Sequence, residues 1–266
     1  MDDLVVGIHL QTRDRVAVID SLNAIAADAG LVSAKDEGNS PRVATCRFLV
    51  APPRGQWISV YPEPAEEERH LARGLVVDLA KRVRAAAILV GRVGEAAFFY
   101  LACDAEGRTG DEYHSCPEQE LEPDQEEPDE AELARTRGDV GALGETLGGV
   151  QARERLAEVL AAARIDRLAD CDPGAARPDV REGLTALARS LGLPDLYPDF
   201  DEVRHFLAPD EGLDVSLLAF RTPPKSRLEP VRALLSALKA RRSRGKPAAE
   251  GKPAGGDDDE DRGEAG

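Results

Sequence analysis

The most constraining feature of this 266-residue sequence is an acidic stretch near its middle. Residues 118–132 contain nine aspartates and glutamates, two prolines and no basic residue. Because such a segment repels itself and buries little apolar surface, we expect residues 118–130 to form an exposed linker. The sequence therefore predicts two folded parts, residues 1–117 and residues 131–242, followed by a disordered acidic tail over residues 243–266.

The net charge of −16 argues against several classes of function. Nucleic-acid binding draws on basic surface, so we expect no nucleic-acid partner. No apolar run approaches the roughly 20 residues that span a bilayer, and no basic region opens the chain as in a secretory signal. We therefore expect a cytoplasmic protein with no membrane partner, whose four cysteines are reduced.

The first part alternates between strand and helix patterns. Apolar and β-branched runs predict strands at residues 4–10, 43–50, 57–61, 86–90, 96–103 and 108–114. Helical spacing predicts one helix that ends at Gly30 and a second over residues 65–84. This order predicts an α+β fold, an antiparallel or mixed sheet with helices on one face.

A mainly helical C-terminal part follows the acidic stretch. Apolar spacing predicts helices at residues 133–137, 140–147, 151–164, 180–191 and 227–241. The apolar run over residues 213–220 is either a strand that joins the sheet or a buried connector. Its boundaries at Asp214 and Pro223 favour the strand.

The end of the last predicted strand before the linker is the one place where metal or nucleophilic chemistry could arise. His114 and Cys116 are two residues apart, and Cys103 lies across the predicted hairpin, so the three could share a zinc ion. The alternative is a polar strand end with free thiols. The sequence contains neither a G-x-S-x-G elbow nor a glycine-rich phosphate loop, and we expect no catalytic residue and no cofactor.

Surface recognition is the remaining possibility. Most of the large polar aromatic side chains lie on or beside predicted strands of the first part, namely Trp57, Tyr61, Tyr100 and Tyr113. Such residues either anchor a binding site or fill the core. Because strand residues alternate between faces, Tyr113 and Ser115 share one face and His114 takes the other. We expect Tyr113 to pack on the helix that carries Leu71 and Leu79, and His114 to be exposed and available to a partner.

Two segments of the chain resemble a group of bacterial proteins that has no assigned activity. The shared pattern is a Gly-Trp strand, here Gly55 and Trp57, then an amphipathic helix, a strand, and a hairpin with the ending D-x-Y-x-S-x-P. In this chain that ending consists of Asp111, Tyr113, Ser115 and Pro117, with one residue fewer near the proline. Residues 184–194 resemble a helix that follows in the same group. The resemblance implies the two-part architecture and no particular activity.

Two functions follow as hypotheses. The first is a non-enzymatic protein-interaction module, immunity-like or regulatory, whose acidic surface attracts a partner with a basic surface. The second is a hydrolase or metal-dependent enzyme that uses His114, Cys116 and Cys103. Stoichiometric zinc in the purified protein would favour the second hypothesis.

Overall fold

A computed structural model describes residues 4–34, 46–63, 69–117, 129–166, 179–194 and 215–221. These residues form eight strands and six helices. The strands are β1 (Leu4–Leu10), β2 (Val32–Ser33), β3 (Cys46–Val50), β4 (Ile58–Pro62), β5 (Ala87–Val93), β6 (Ala97–Cys103), β7 (Thr109–His114) and β8 (Ser216–Arg221). The helices are α1 (Arg15–Asp28), α2 (Arg69–Val83), α3 (Glu130–Arg135), α4 (Val140–Thr146), α5 (Arg153–Ala163) and α6 (Val180–Leu191).

All eight strands belong to one antiparallel sheet with the order β2-β8-β3-β4-β1-β5-β6-β7. Its centre is a split βαβ arrangement, because β4 lies between β1 and β3, and β1 lies between β4 and β5. The β6–β7 hairpin extends this centre at one end. Strands β8 and β2 extend it at the other end.

Helices α1 and α2 cover the first face of the sheet. Helix α1 begins after Asp14, whose side chain accepts a hydrogen bond from the Ala17 amide, and it ends before Gly30, which has a φ of 77°. The core beneath the two helices includes Ile8, Leu10, Val18, Leu22, Val60, Val76 and Leu79. The predicted α+β class, an antiparallel sheet with these two helices on one face, is therefore confirmed.

Helices α4, α5 and α6 pack against the second face, near β5, β6 and β7. Their core includes Ile88, Phe98, Tyr100, Tyr113, Leu143, Leu160, Leu184 and Leu187. Strand β8 inserts between β2 and β3, so the strand interpretation of residues 213–220 is confirmed. The sheet and its two cores thus include residues from both sides of the acidic stretch.

Two short elements differ from the sequence predictions. Helix α3 begins at Glu130, three residues before its predicted start, because the Asp129 side chain accepts a hydrogen bond from the Glu132 amide. The two-residue strand β2 was not predicted.

Three predicted segments lie wholly or mostly outside the described residues. They are the linker over residues 118–130, the helix over residues 227–241 and the tail over residues 243–266. None of the helices in the described ranges is long and apolar enough to cross a bilayer.

Candidate functional site

Several buried polar residues of the described part of the chain lie on or beside the terminal strand β7. A turn with Asp104 and Gly107 precedes this strand, and the Asp104 side chain accepts hydrogen bonds from the Glu106 and Arg108 amides. Residues of β7 then alternate between the two covered faces of the sheet. Asp111 and Tyr113 therefore face the layer of α4, α5 and α6, whereas Glu112 and His114 face the opposite side.

A buried hydrogen-bonded group occupies the second face. The Tyr100 hydroxyl donates to Asp111 Oδ2 at 2.7 Å, and the Asp139 amide donates to Asp111 Oδ1 at 2.8 Å. Burial raises the pKa of Tyr100 and of Tyr113, so both hydroxyls stay protonated donors. Burial also raises the pKa of Asp111, although the Tyr100 hydroxyl and two backbone amides oppose that effect.

The ending Asp111, Tyr113 and Ser115 makes hydrogen bonds within the sheet and to the neighbouring segments. Tyr113 donates to the Leu160 main-chain oxygen at 2.8 Å, and Ser115 Oγ accepts a hydrogen bond from the Phe98 amide at 2.9 Å. All three side chains are buried. In this chain, these three residues of the resemblance are therefore buried and stabilise the fold through hydrogen bonds.

A charged cluster occupies the first face of β7. The buried Glu112 carboxylate contacts Arg73 of α2 through Oε1, Arg135 of α3 through Oε2 at 2.5 Å, and His114 Nε2 at 2.8 Å. Burial favours the neutral carboxyl, but the His114 hydrogen bond and the Arg73 charge outweigh it and lower the pKa of Glu112 to about 2. This cluster was not predicted. Its one signal in the sequence was a glutamate at a strand position on the same face as His114.

Arg164 is a second connection at the same edge. Its guanidinium donates to the main-chain oxygens of His114 and Leu133 at 2.9 Å each, and also to that of Thr136. Its Nε donates to Asp166 at 2.5 Å. Arg164 thus joins the end of β7 to main-chain oxygens at the C-terminal end of α3, where helix carbonyls lack intrahelical partners.

The proposed zinc ligands are not brought together. Cys103 pairs with Thr109 beside the turn, whereas His114 pairs with Phe99 at the opposite end of the hairpin. Cys116 packs with Val93 and Ala97. Within the described ranges no group of three or more histidine, cysteine or acidic residues could hold a metal ion. Burial raises the pKa of Cys103 to about 11, which leaves its thiol protonated and weakly nucleophilic.

A buried serine–histidine pair on the second face was also not predicted. His9 Nδ1 lies 2.9 Å from Ser59 Oγ, and the Tyr61 ring meets the imidazole edge-on. Burial lowers the pKa of His9 to about 3, so the imidazole is neutral. Among the residues that the structure describes, no carboxylate hydrogen-bonds to His9, so no group there orients it as in a catalytic triad.

The six side chains proposed for surface recognition are all buried, namely Trp57, Tyr61, Tyr100, Tyr113, His114 and Ser115. The expected burial of Tyr113 is confirmed, but its expected neighbour is wrong. Tyr113 packs with Phe98 and Tyr100 on the face opposite α2. The expected exposure of His114 is also wrong, because helices cover both faces of this end of the sheet and His114 lies against Phe99 and Glu112.

Comparisons with known proteins add no constraint on the chemistry of this edge. No family model, no curated protein and no solved structure matches the chain. The resemblance to a bacterial group therefore stays a prediction.

Proposed function

We propose that the chain is a non-enzymatic protein-binding module, immunity-like or regulatory, whose partner presents a basic surface. The observation that carries this proposal is the charge distribution. The chain has 50 acidic and 34 basic residues, and nine of the acidic residues fall within residues 118–132. A field of this sign attracts a basic partner over long distances and accelerates its association.

The position of the acidic stretch supports the same proposal. The described residues on either side of it lie close to β7, since Pro117 follows that strand and Asp129 caps α3, whose Arg135 binds Glu112. Both ends of the stretch are therefore attached to the same edge of the sheet.

The internal contacts of the reactive groups favour binding over catalysis. Glu112 is held by two arginines and a histidine, and Tyr100 is hydrogen-bonded to Asp111. The Cys103 thiol is buried and protonated. A cytoplasmic location belongs to the proposal as well, because Cys103 forms no disulfide, as is usual for a protein of a reducing compartment.

Two charge variants with equal changes in net charge test the proposal. The first replaces six carboxylates of the acidic stretch by their amides, at residues 118, 120, 122, 124, 126 and 127. The control replaces six carboxylates of the tail in the same way, at residues 257, 258, 259, 260, 261 and 264. Partners are isolated with the full chain as bait, purified, and titrated against all three proteins at several salt concentrations.

We expect a basic partner that binds in a defined ratio and loses affinity as salt increases. The first variant should weaken its binding by about tenfold or more, since each charge near the contact contributes, whereas the control should change little. Affinities that are equal for the two variants would contradict a role for the acidic stretch. A turnover reaction that depends on His114 or Cys116 would contradict a non-enzymatic function.

A further inference from the structure

The two terminal strands of the sheet differ in how readily their outer edges could pair with another chain. A free strand edge pairs readily with another chain, and natural proteins prevent this with very short edge strands or with covering segments. Strand β2 has two residues and belongs to the first type. Strand β7 has six residues, so its length does not protect it.

Residues 129–138, which we call the edge segment, lie along the outer side of β7. The His114 amide donates to the Thr136 main-chain oxygen at 2.9 Å, and Tyr113 forms a β-bridge with Arg137. On its other side, β7 pairs with β6. The edge segment therefore takes the place that a ninth strand would occupy beside residues 113–114.

Side chains, and not an extended strand pairing, hold the edge segment in this position. Its helix α3 has six residues, too few to be stable without tertiary contacts. Arg135 binds the buried Glu112, and Arg164 donates to the main-chain oxygens of Leu133 and Thr136. Loss of these contacts would free the outer main-chain hydrogen-bonding groups of Tyr113 and His114.

We propose that the edge segment is a self-blocking contact that keeps the chain from pairing with a second copy through β7. The second copy is the occupant that the freed edge fits, because every copy carries the same strand. Antiparallel pairing of two identical strands generates a closed two-fold dimer. The proposal concerns self-association and does not depend on the basic partner proposed above.

Gly138 offers a way to displace the edge segment. Its φ is +73°, and an added Cβ would lie 2.9 Å from the Tyr100 hydroxyl oxygen and 3.0 Å from Tyr113 Cβ. Gly148 has the same φ of +73°, but an added Cβ would meet no atom within 4 Å. Gly138→Ala and Gly148→Ala therefore impose the same backbone strain, and only the first pushes the edge segment from the sheet.

Hydrogen exchange of the His114 amide and sedimentation over a range of protein concentrations are measured on full-length proteins. We expect a monomeric wild-type chain and a monomeric Gly148→Ala chain. Gly138→Ala should speed exchange at His114 by about tenfold in dilute solution, as expected when a local contact opens. It should also form dimers as its concentration rises, and the His114 amide should regain protection in the dimer.

A second pair of variants covers the case in which Gly138→Ala fails to fold. Arg135→Gln removes the contact with Glu112. Arg137→Gln is its control, because the Arg137 side chain contacts Asp166 at 3.5 Å and its β-bridge with Tyr113 uses main-chain atoms that the substitution keeps. Arg135→Gln should reproduce faster exchange and dimerisation, and Arg137→Gln should not. A wild-type dimer, unchanged His114 exchange in Arg135→Gln, or faster exchange without dimers would each overturn the proposal.

Discussion

The Tyr113 hydroxyl donates a hydrogen bond to the main-chain oxygen of Leu160, 2.8 Å away. Tyr113 belongs to the terminal strand β7, and Leu160 belongs to α5, so this bond joins the sheet to the helices on its second face. Both residues are buried. The bond therefore couples residues that precede the acidic stretch to residues that follow it.

Two substitutions at Tyr113 should separate the hydrogen bond from the packing of the ring. Tyr113→Phe should lower the free energy of unfolding by about 1 kcal/mol, because it removes only the bond to Leu160. Tyr113→Ala should lower it by about 3 kcal/mol or more, because it also removes the ring that packs on Phe98 and Tyr100. Urea unfolding measures both changes. Equal losses would contradict the packing role.

The Glu112 cluster should make stability depend on acidity. The pKa of Glu112 is lowered from 4.5 to about 2, so the folded state binds its proton less tightly than the unfolded state. The stabilisation is therefore complete above pH 4.5 and is lost as the pH falls through 2. The lowered pKa corresponds to a stabilisation of the folded state by about 3 kcal/mol at neutral pH. Glu112→Gln should lower the free energy of unfolding by about that amount at neutral pH and by far less near pH 2.

Glu106→Gln is the control for this pH dependence. Glu106 is an exposed carboxylate in the turn before β7, and its contact with Arg108 is a surface ion pair. Its replacement should change stability by less than about half a kcal/mol over the whole pH range. If Glu112→Gln and Glu106→Gln gave the same pH profile, the cluster would not be a stabilising ion pair.

The buried His9 should destabilise the fold in a milder range of acidity. Burial lowers its pKa from 6.5 to about 3, so the unfolded state binds a proton that the folded state rejects. Stability is therefore full above pH 6.5 and falls as the pH decreases toward 3. As the pH falls from 6.5 to 5, the cost of this group should approach about 1.4 kcal/mol per pH unit. His9→Gln should remove that slope in urea unfolding at a series of pH values.

Ser59→Ala distinguishes burial from hydrogen bonding as the cause. It removes the hydroxyl 2.9 Å from His9 Nδ1 and leaves the imidazole buried. Because desolvation is the cause of the lowered pKa, Ser59→Ala should lower overall stability and keep the slope below pH 6.5. A slope that survives in His9→Gln would assign the titration to another group.

The sequence predicted the parts of the fold that local patterns determine. Local patterns were sufficient to predict strands β1, β6 and β8 and helix α6. Each pattern reflects the burial of its own segment and needs no knowledge of a distant partner. Strand β2 was not predictable, because its two residues become a strand only by pairing with β8. The location of its partner depends on the whole topology.

The contacts at β7 were harder to predict, because their partners are distant along the chain. Glu112 meets Arg73 of α2 and Arg135 of α3, and no spacing rule relates these positions. Alternation along β7 correctly placed Tyr113 and His114 on opposite faces. It could not reveal that helices cover both faces, and that fact decides the exposure of His114.

Two glycines in helices should respond to the same substitution with opposite signs. At Gly183 in α6, an added Cβ would lie 2.5 Å from the Phe98 ring, which is buried in the core and cannot move aside. Gly183→Ala should therefore lower the free energy of unfolding by about 1 to 3 kcal/mol, despite the better helix propensity of alanine. In a Phe98→Leu background this loss should shrink, since the smaller side chain leaves room.

Gly144 in α4 is the matched position. An added Cβ there would come within 2.9 Å of Arg153, but the contact is with the end of a long side chain that can rotate away. Gly144→Ala should therefore raise the free energy of unfolding by up to about 1 kcal/mol, the usual gain from replacing glycine within a helix. Thermal and urea unfolding of both variants measure the two effects. Stabilisation by Gly183→Ala would show that α6 does not pack closely on β6, and the arrangement of the second face would then be wrong.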